Sequence, residues 1–385
     1  MTVAKEMGKA FLSSFGGESR VFRAPGRVNL IGEHTDYNDG FVMPVAIDFA
    51  TWVTVSPRLD RVVSVFSDKF NQQFEFNLDD VASAATGHWS DYVKGVALTL
   101  ERAGFRLRGA QLSITGSVPI GSGLSSSAAI EVATGFALLA NSGFPVDRMK
   151  LAKLCQLAEN EFVGMRCGIM DQFISCHGQD GKALLLDCRS LESRLLPLSD
   201  DARLVICNTM VKHELAGSEY NQRRAECEEG VQHLARKLSG IHALRDVTEA
   251  NLELHGRELS DIVYRRCRHV ISENKRVLKA AAALEKGDLT DFGRLMNESH
   301  LSLRNDYEVS CPELDLMVEL AQPIPGVFGG RMTGGGFGGC TINLVKAEHT
   351  EEFKSALATS YEKATGVAPE VYVSGAAAAA GEVTE

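Results

Sequence analysis

A strand, a glycine-rich turn and a helix follow one another between residues 110 and 140, and this succession constrains the chain more than any other feature. Ala110–Ser117 reads as a strand and Ser126–Ala140 as a helix. Between and around them runs Gly116-Ser117-Val118-Pro119-Ile120-Gly121-Ser122-Gly123-Leu124-Ser125-Ser126-Ser127-Ala128-Ala129. Glycines let a backbone approach a ligand closely. The free N–H groups in the first turn of a helix favour an anion, and the serines can cap the helix or offer hydroxyls to phosphate or metal. Two familiar phosphate loops do not fit. No lysine follows the glycines, as a P-loop requires, and Ser126 stands where a dinucleotide fingerprint has its third glycine. The plainer alternative is an ordinary strand-to-helix turn with serine caps.

The rest of the chain limits what such a loop can serve. A length of 385 residues suggests two domains, or three, and 44% hydrophobic residues can fill their cores. Forty Lys and Arg against fifty Asp and Glu give a net charge of -10, and no basic cluster occurs, which argues against nucleic-acid binding. No apolar run reaches the roughly 18 residues of a membrane span. Met1–Gly17 lacks the pattern of a secretory leader, so a cytoplasmic location is expected. Nine scattered cysteines with no C-x-x-C pair read as reduced thiols, mostly core fillers. The acidic surface and the lack of an evident apolar patch favour a monomer.

Strand candidates in the first half are Val42–Ser56, Val62–Ser67, Gln72–Phe76, Ala183–Asp187 and Leu204–Asn208, with a second helix at Pro145–Glu161. Asp39-Gly40 signals a hairpin or a tight turn. Helices are expected at Ser218–Leu238, Leu259–Glu285, Leu289–Arg304, Pro312–Leu320 and Glu351–Thr365, with strands at Thr341–Val345 and Glu370–Ser374. The change of character near residues 195–205, at Pro197 and Ser199–Asp201, sets a domain boundary: 1–198 and 199–385. Ala376–Glu385 reads as a frayed tail.

Three further segments carry chemistry. Residues Arg23 to Gly40 concentrate hydrogen-bonding side chains, with Glu33 and Asp36 on either side of His34 and with Arg27 as a fixed positive charge. This suits a polyhydroxylated ligand, or a solvated loop with a structural Arg–Asp pair. Glu159 offers the hard oxygen that Mg²⁺ prefers, or simply faces solvent. Asp171, between apolar pairs, is a functional carboxylate or a helix N-cap. The run Gly329 to Cys340 is glycine-rich enough to be either a long turn or a loop that closes a site.

In this order the segments resemble the three motifs of the GHMP family of small-molecule kinases. Gly26-Arg27-Val28-Asn29-Leu30-Ile31-Gly32-Glu33-His34-Thr35-Asp36-Tyr37 is similar to the first motif of the family's galactose-phosphorylating branch, Pro119–Ala128 to its ATP loop and Gly334–Gly339 to its third motif. The resemblance spans roughly residues 20 to 375. It implies an α+β fold of two domains, an N-terminal one like ribosomal protein S5 and a ferredoxin-like C-terminal one, with the active site between them. It implies Asp171 and Arg27 as catalytic residues, and Glu33, His34, Asp36, Gly168 and Tyr220 as sugar-binding residues. Gly121, Ser122, Gly123, Leu124, Ser125, Ser126 and Ser127 would hold the triphosphate of ATP, with Ser127 and Glu159 on Mg²⁺. Galactose and ATP are the implied substrates. A kinase for N-acetylgalactosamine or arabinose, or a galactose and ATP sensor without turnover, are the competing readings.

Overall fold

The computed structural model describes residue 11 and residues 18–80, 84–212 and 216–384; all but one residue of the expected leader-free start lies outside these. Three sheets and ten α-helices are described. The largest sheet has the order β13-β1-β3-β6-β4-β5, built from β1 (Arg20–Asn29), β3 (Pro44–Pro57), β4 (Val62–Ser67), β5 (Gln72–Asn77), β6 (Ala110–Gly116) and β13 (Gly381–Glu382). A small sheet joins β2 (Phe41–Val42), β7 (Lys182–Asp187) and β8 (Ser193–Pro197). The third has the order β10-β11-β9-β12, from β9 (Ala202–Lys212), β10 (Val327–Thr333), β11 (Gly338–Lys346) and β12 (Glu370–Ser374).

Helices α2 (Ser126–Asn141) and α4 (Met170–His177) lie on the large sheet, and α1 (Ser90–Arg102) and α3 (Arg148–Ala158) pack on α2. Its core includes Val53, Leu112, Val132, Phe136, Leu151 and Phe173. α2 lies against β1 and β3, so those strands are buried along nearly their whole length rather than on alternate residues. The second half contributes α5 (Ala216–Ala235), α6 (Glu249–His255), α7 (Asp261–Glu285), α8 (Leu289–Ser302), α9 (Pro312–Ala321) and α10 (Thr350–Thr365). One core cluster joins Val28, Leu30, Ile31 and Met43 to Ile206, Val277, Phe292 and Ile342. The two halves of the chain therefore share buried apolar contact, the term that dominates such associations.

Four expectations need correction. The polar run from Arg23 is no solvated loop through Asn29, because those residues are β1, where Arg27 and Asn29 are buried against partners from elsewhere in the chain. The glycine run is not a plain turn, because β10 and β11 extend into it from both sides. Ala376–Glu382 is no frayed tail: Ala376 bridges Ile47 and β13 pairs with β1, and Arg20 holds Glu382 through two hydrogen bonds of 2.7 Å. Asp171 is not an N-cap, since Ile169 occupies that position and Asp171 lies in the first turn of α4. All nine cysteines are free, and most are buried, as expected of core fillers.

Candidate active site

β1 is irregular between Pro25 and Arg27, where its register with β3 shifts. Such a bulge re-aims the side chain that follows it. Arg27 reaches across to α4 and grips Asp171 with one edge of its guanidinium, Nε to Oδ1 at 2.7 Å and Nη2 to Oδ2 at 2.9 Å. Its remaining Nη1 donates to the carbonyl of Gly123 at 2.5 Å. Ser125 Oγ donates to Asp171 Oδ2 at 2.5 Å, so this serine serves the carboxylate and makes no side-chain cap on α2. The arginine side chain is 6% exposed and the aspartate 22%. The carboxylate thus opens to the cleft while its counter-charge is sealed behind it.

Next to this pair the end of β1 is clasped to the end of β10. Asn29 N–H donates to Thr333 Oγ at 3.0 Å, and Thr333 Oγ–H donates to Asn29 O at 3.2 Å. Glu33 accepts from Asn29 Nδ2 at 3.0 Å on one oxygen and from Gly334 N–H at 2.7 Å on the other. Arg331, wholly buried, lies 3.5 Å from the second oxygen. Gly334 packs so closely on the Ser/Gly loop that a Cβ there would sit 2.6 Å from Gly123 O.

His34 is held by protein on both nitrogens. Gly335 O can only accept, so Nε2 carries the proton that it donates at 3.2 Å, and Nδ1 accepts from Tyr37 OH at 2.8 Å. Burial, then the neighbouring His269, pushes His34 well below its ordinary pKa and keeps it neutral. Tyr37 bonds to Tyr307 at 2.8 Å and Tyr307 to Cys227 at 3.1 Å, extending the relay inward. Tyr220 packs against His34 and Tyr37 with ring centroids 5.3 and 5.5 Å away. Asp36 lies beside Gly168, where a Cβ would come within 2.1 Å of Oδ2; no larger residue leaves that carboxylate in place. Burial first, then Asp171 and Glu33, pushes Asp36 up to about 7.

Glu159 opens a π-turn that continues α3. Its Oε2 accepts from Gln172 Nε2 at 2.6 Å and from Cys167 Sγ at 3.4 Å, and it is hydrogen-bonded to Ser127 as well. Burial, then Asp171, raises Glu159 to about 7. Among the described residues no cation forms an ion pair with it, and no cluster of three or more His, Cys, Asp and Glu could hold a metal by itself.

Arg27, Glu33, His34, Asp36, Gly168, Asp171, Glu159, Tyr220 and the Ser/Gly loop all line one cleft of about 470 Å³. Ser122 is the exception: its side chain is buried and its hydroxyl turns back to Pro119 O at 2.8 Å. The cleft also has an apolar wall of Phe70, Trp89, Tyr92, Ile114 and Ile130 that the sequence reading did not identify. Phe70 and Trp89 stack with planes 12° apart. These residues are far apart in the chain and belong to no motif; the aromatic content near 70 and 89 was their one local signal.

A strand-loop-helix turn facing a glycine-rich hairpin from the second half is the arrangement of a GHMP kinase. Family models agree: "GHMP kinases N terminal domain" matches residues 91–179 and "GHMP kinases C terminal" residues 280–363, while "Galactokinase galactose-binding signature" matches residues 9–57. Within that class the chain belongs to the galactokinase family. It is 51% identical over 358 residues to a galactokinase of Chloroflexus aurantiacus, covering 93% of this chain and 92% of that one. With a galactokinase of Roseiflexus it shares 48% identity over 381 residues, covering 99% and 97%. The crystal structure of Lactococcus lactis galactokinase complexed with galactose superposes with a TM-score of 0.95 at 38% identity, covering 99% of this chain and all of that one. A mevalonate kinase at 20% identity and TM-score 0.64 shares the fold.

Proposed function

We propose that this chain transfers the γ-phosphoryl group of MgATP to the anomeric hydroxyl of galactose, giving galactose 1-phosphate and ADP. The observation that carries the reading is the Arg27–Asp171–Ser125 constellation, one carboxylate opening between the Ser/Gly loop and the Asp36 pocket. Phosphoryl transfer asks a protein mainly for positioning and for charge stabilisation. Asp171 accepts the proton of the attacking hydroxyl, and Arg27 holds its carboxylate aimed. Backbone N–H groups of the loop and of the first turn of α2 hold phosphate oxygens. The apolar wall suits a nucleobase. On the sugar side Asp36 is the carboxylate with capacity to spare, while Glu33 and His34 frame the pocket through their bonds to the protein.

Ser127 and Glu159 fit a hard divalent cation: two adjacent oxygen donors at the cleft floor, one of them a carboxylate with no cationic partner among the described residues. Mg²⁺ characteristically takes one or two protein oxygens and completes its shell with water and substrate phosphates. Bound there, it would supply charge neutralisation across the phosphates.

The titration of Asp36 gives a pH test. With its pKa about 7, Asp36 is largely protonated at pH 6 and ionised at pH 8. Sugar hydroxyls donate to the ionised form, so binding draws a proton off and affinity for galactose rises with pH, by up to about tenfold per unit below the pKa. Calorimetric titration at pH 6, 7 and 8 in buffers of different ionisation enthalpy reads both effects. Flat affinity with no buffer-dependent heat would remove Asp36 from this role.

The function itself is tested by ADP release with MgATP against galactose, N-acetylgalactosamine, arabinose, glucose, mevalonate and homoserine. Turnover is expected with galactose and close analogues. Preference for another sugar would move the error to the pocket, and galactose binding with no turnover would overturn the kinase.

A further inference from the structure

Behind Glu159 lies a buried acid that the mechanism above does not use. Glu131 is on α2 and fully buried, and among the described residues no cation forms an ion pair with it. Its Oε2 accepts from Gln172 Nε2 at 3.0 Å, and the same nitrogen donates its other hydrogen to Glu159 Oε2 at 2.6 Å. The orientation of the Gln172 amide follows, because only its nitrogen can serve two carboxylates at once. Two atoms are left over. Glu131 Oε1 and Gln172 Oε1 are both buried and both lack a hydrogen-bond partner. They are acceptors on the two groups that the first bond already joins. Unpaired buried polar atoms are costly, so a link kept at that cost calls for a role.

We infer that Glu131 locks the Gln172 amide so that its other N–H holds the Glu159 carboxylate in the orientation that receives the metal of the metal–nucleotide complex. Glu131 is thus a positioning residue, acting on Glu159 through Gln172. The inference rests on the assignment of Glu159 to the metal proposed above. It explains why a fully buried glutamate sits in α2 four residues after Ser127. Both metal donors are then tied to one helix, Ser127 by the chain and Glu159 by the Gln172–Glu131 link.

The test is binding of Mn²⁺·ADP, followed by electron paramagnetic resonance, alongside galactose affinity without nucleotide as a check of the fold. Glu131→Gln keeps an acceptor for the Gln172 N–H, so metal–nucleotide affinity should stay within about twofold of wild type. Glu131→Met removes that acceptor and should weaken it about tenfold, the scale of lost support behind a metal ligand, with galactose affinity unchanged. Gln172→Met should give the same loss, and stands in should Glu131→Met not fold. Loss in Glu131→Gln equal to that in Glu131→Met would overturn the lock, as would full affinity in Glu131→Met or Gln172→Met. Glu159→Ala separates the two readings. If it binds Mn²⁺·ADP normally, the metal assignment itself falls; if it weakens binding while Glu131→Met does not, only the lock falls.

Discussion

Asp171→Asn is expected to bind galactose nearly as well as the wild-type enzyme and to turn over about 10²–10⁴-fold more slowly, the usual range for loss of a positioned general base. The amide retains one oxygen for Ser125 or Arg27, so local geometry survives in part, but it cannot take the hydroxyl proton. It also leaves Arg27, with a side chain only 6% exposed, without its counter-charge. Some loss of stability should accompany the kinetic effect, since a buried charge deprived of its partner is costly. The measurement is kcat by coupled ADP release, with galactose affinity by calorimetry and a melting curve on the same preparation. A kcat within threefold of wild type would sink the base role. A loss of galactose binding equal to the loss of kcat would point instead to a collapsed site.

The second large effect concerns Arg331, which touches neither end of the proposed reaction. It is fully buried, donates from Nη1 to Asn29 O at 2.9 Å and lies 3.5 Å from Glu33. Glu273, also buried, accepts from Gly32 N–H at 2.9 Å, from Ser299 Oγ at 2.5 Å and from Arg276 Nε at 2.7 Å. Burial alone would raise Glu273, but Arg276, His269 and Arg331 outweigh it and hold it at about 2. Arg331 thus sits between two buried carboxylates. Arg331→Met keeps the length and removes the charge, leaving Glu33 without its cation. Destabilisation of about 3–5 kcal/mol is expected, the range for breaking a buried pair from one side. Galactose affinity should fall too, because Glu33 holds Gly334. Urea unfolding measures the first and calorimetry the second; a change in unfolding free energy under about 1 kcal/mol would show that the charge is dispensable.

Where the chain could be read locally, it was read well. Amphipathic helices such as α7 and α10 came out within two residues of their observed limits, because a helix with one wet face reports its own period. β4 was placed without error. β1 was missed for a physical reason. It is covered along its length, so it lacks alternation, and its polar residues Arg27 and Asn29 are satisfied by Asp171 and Thr333, 144 and 304 residues further on. No local window contains those partners. Glu33 and Arg331 are likewise far apart in the sequence. The Ser/Gly loop was legible as a strand-to-helix turn, yet the duty of Ser125 was not, since capping and binding Asp171 ask for the same side chain. Phe70, Trp89 and Tyr92 became a wall only when β5, α1 and the loop met.

The pairing of β13 with β1 also bears on how the chain is made. Arg20 and Glu382 stand 362 residues apart in sequence. At a ribosomal rate of about 5–20 residues per second, β1 would wait roughly 20–70 s for its outer neighbour. Through that interval β1 presents an uncovered sheet edge, the kind of surface on which nascent chains stick to one another. Slow or stalled synthesis of the second half should therefore reduce yield by aggregation of a nearly finished first half, independently of any fault in the active site.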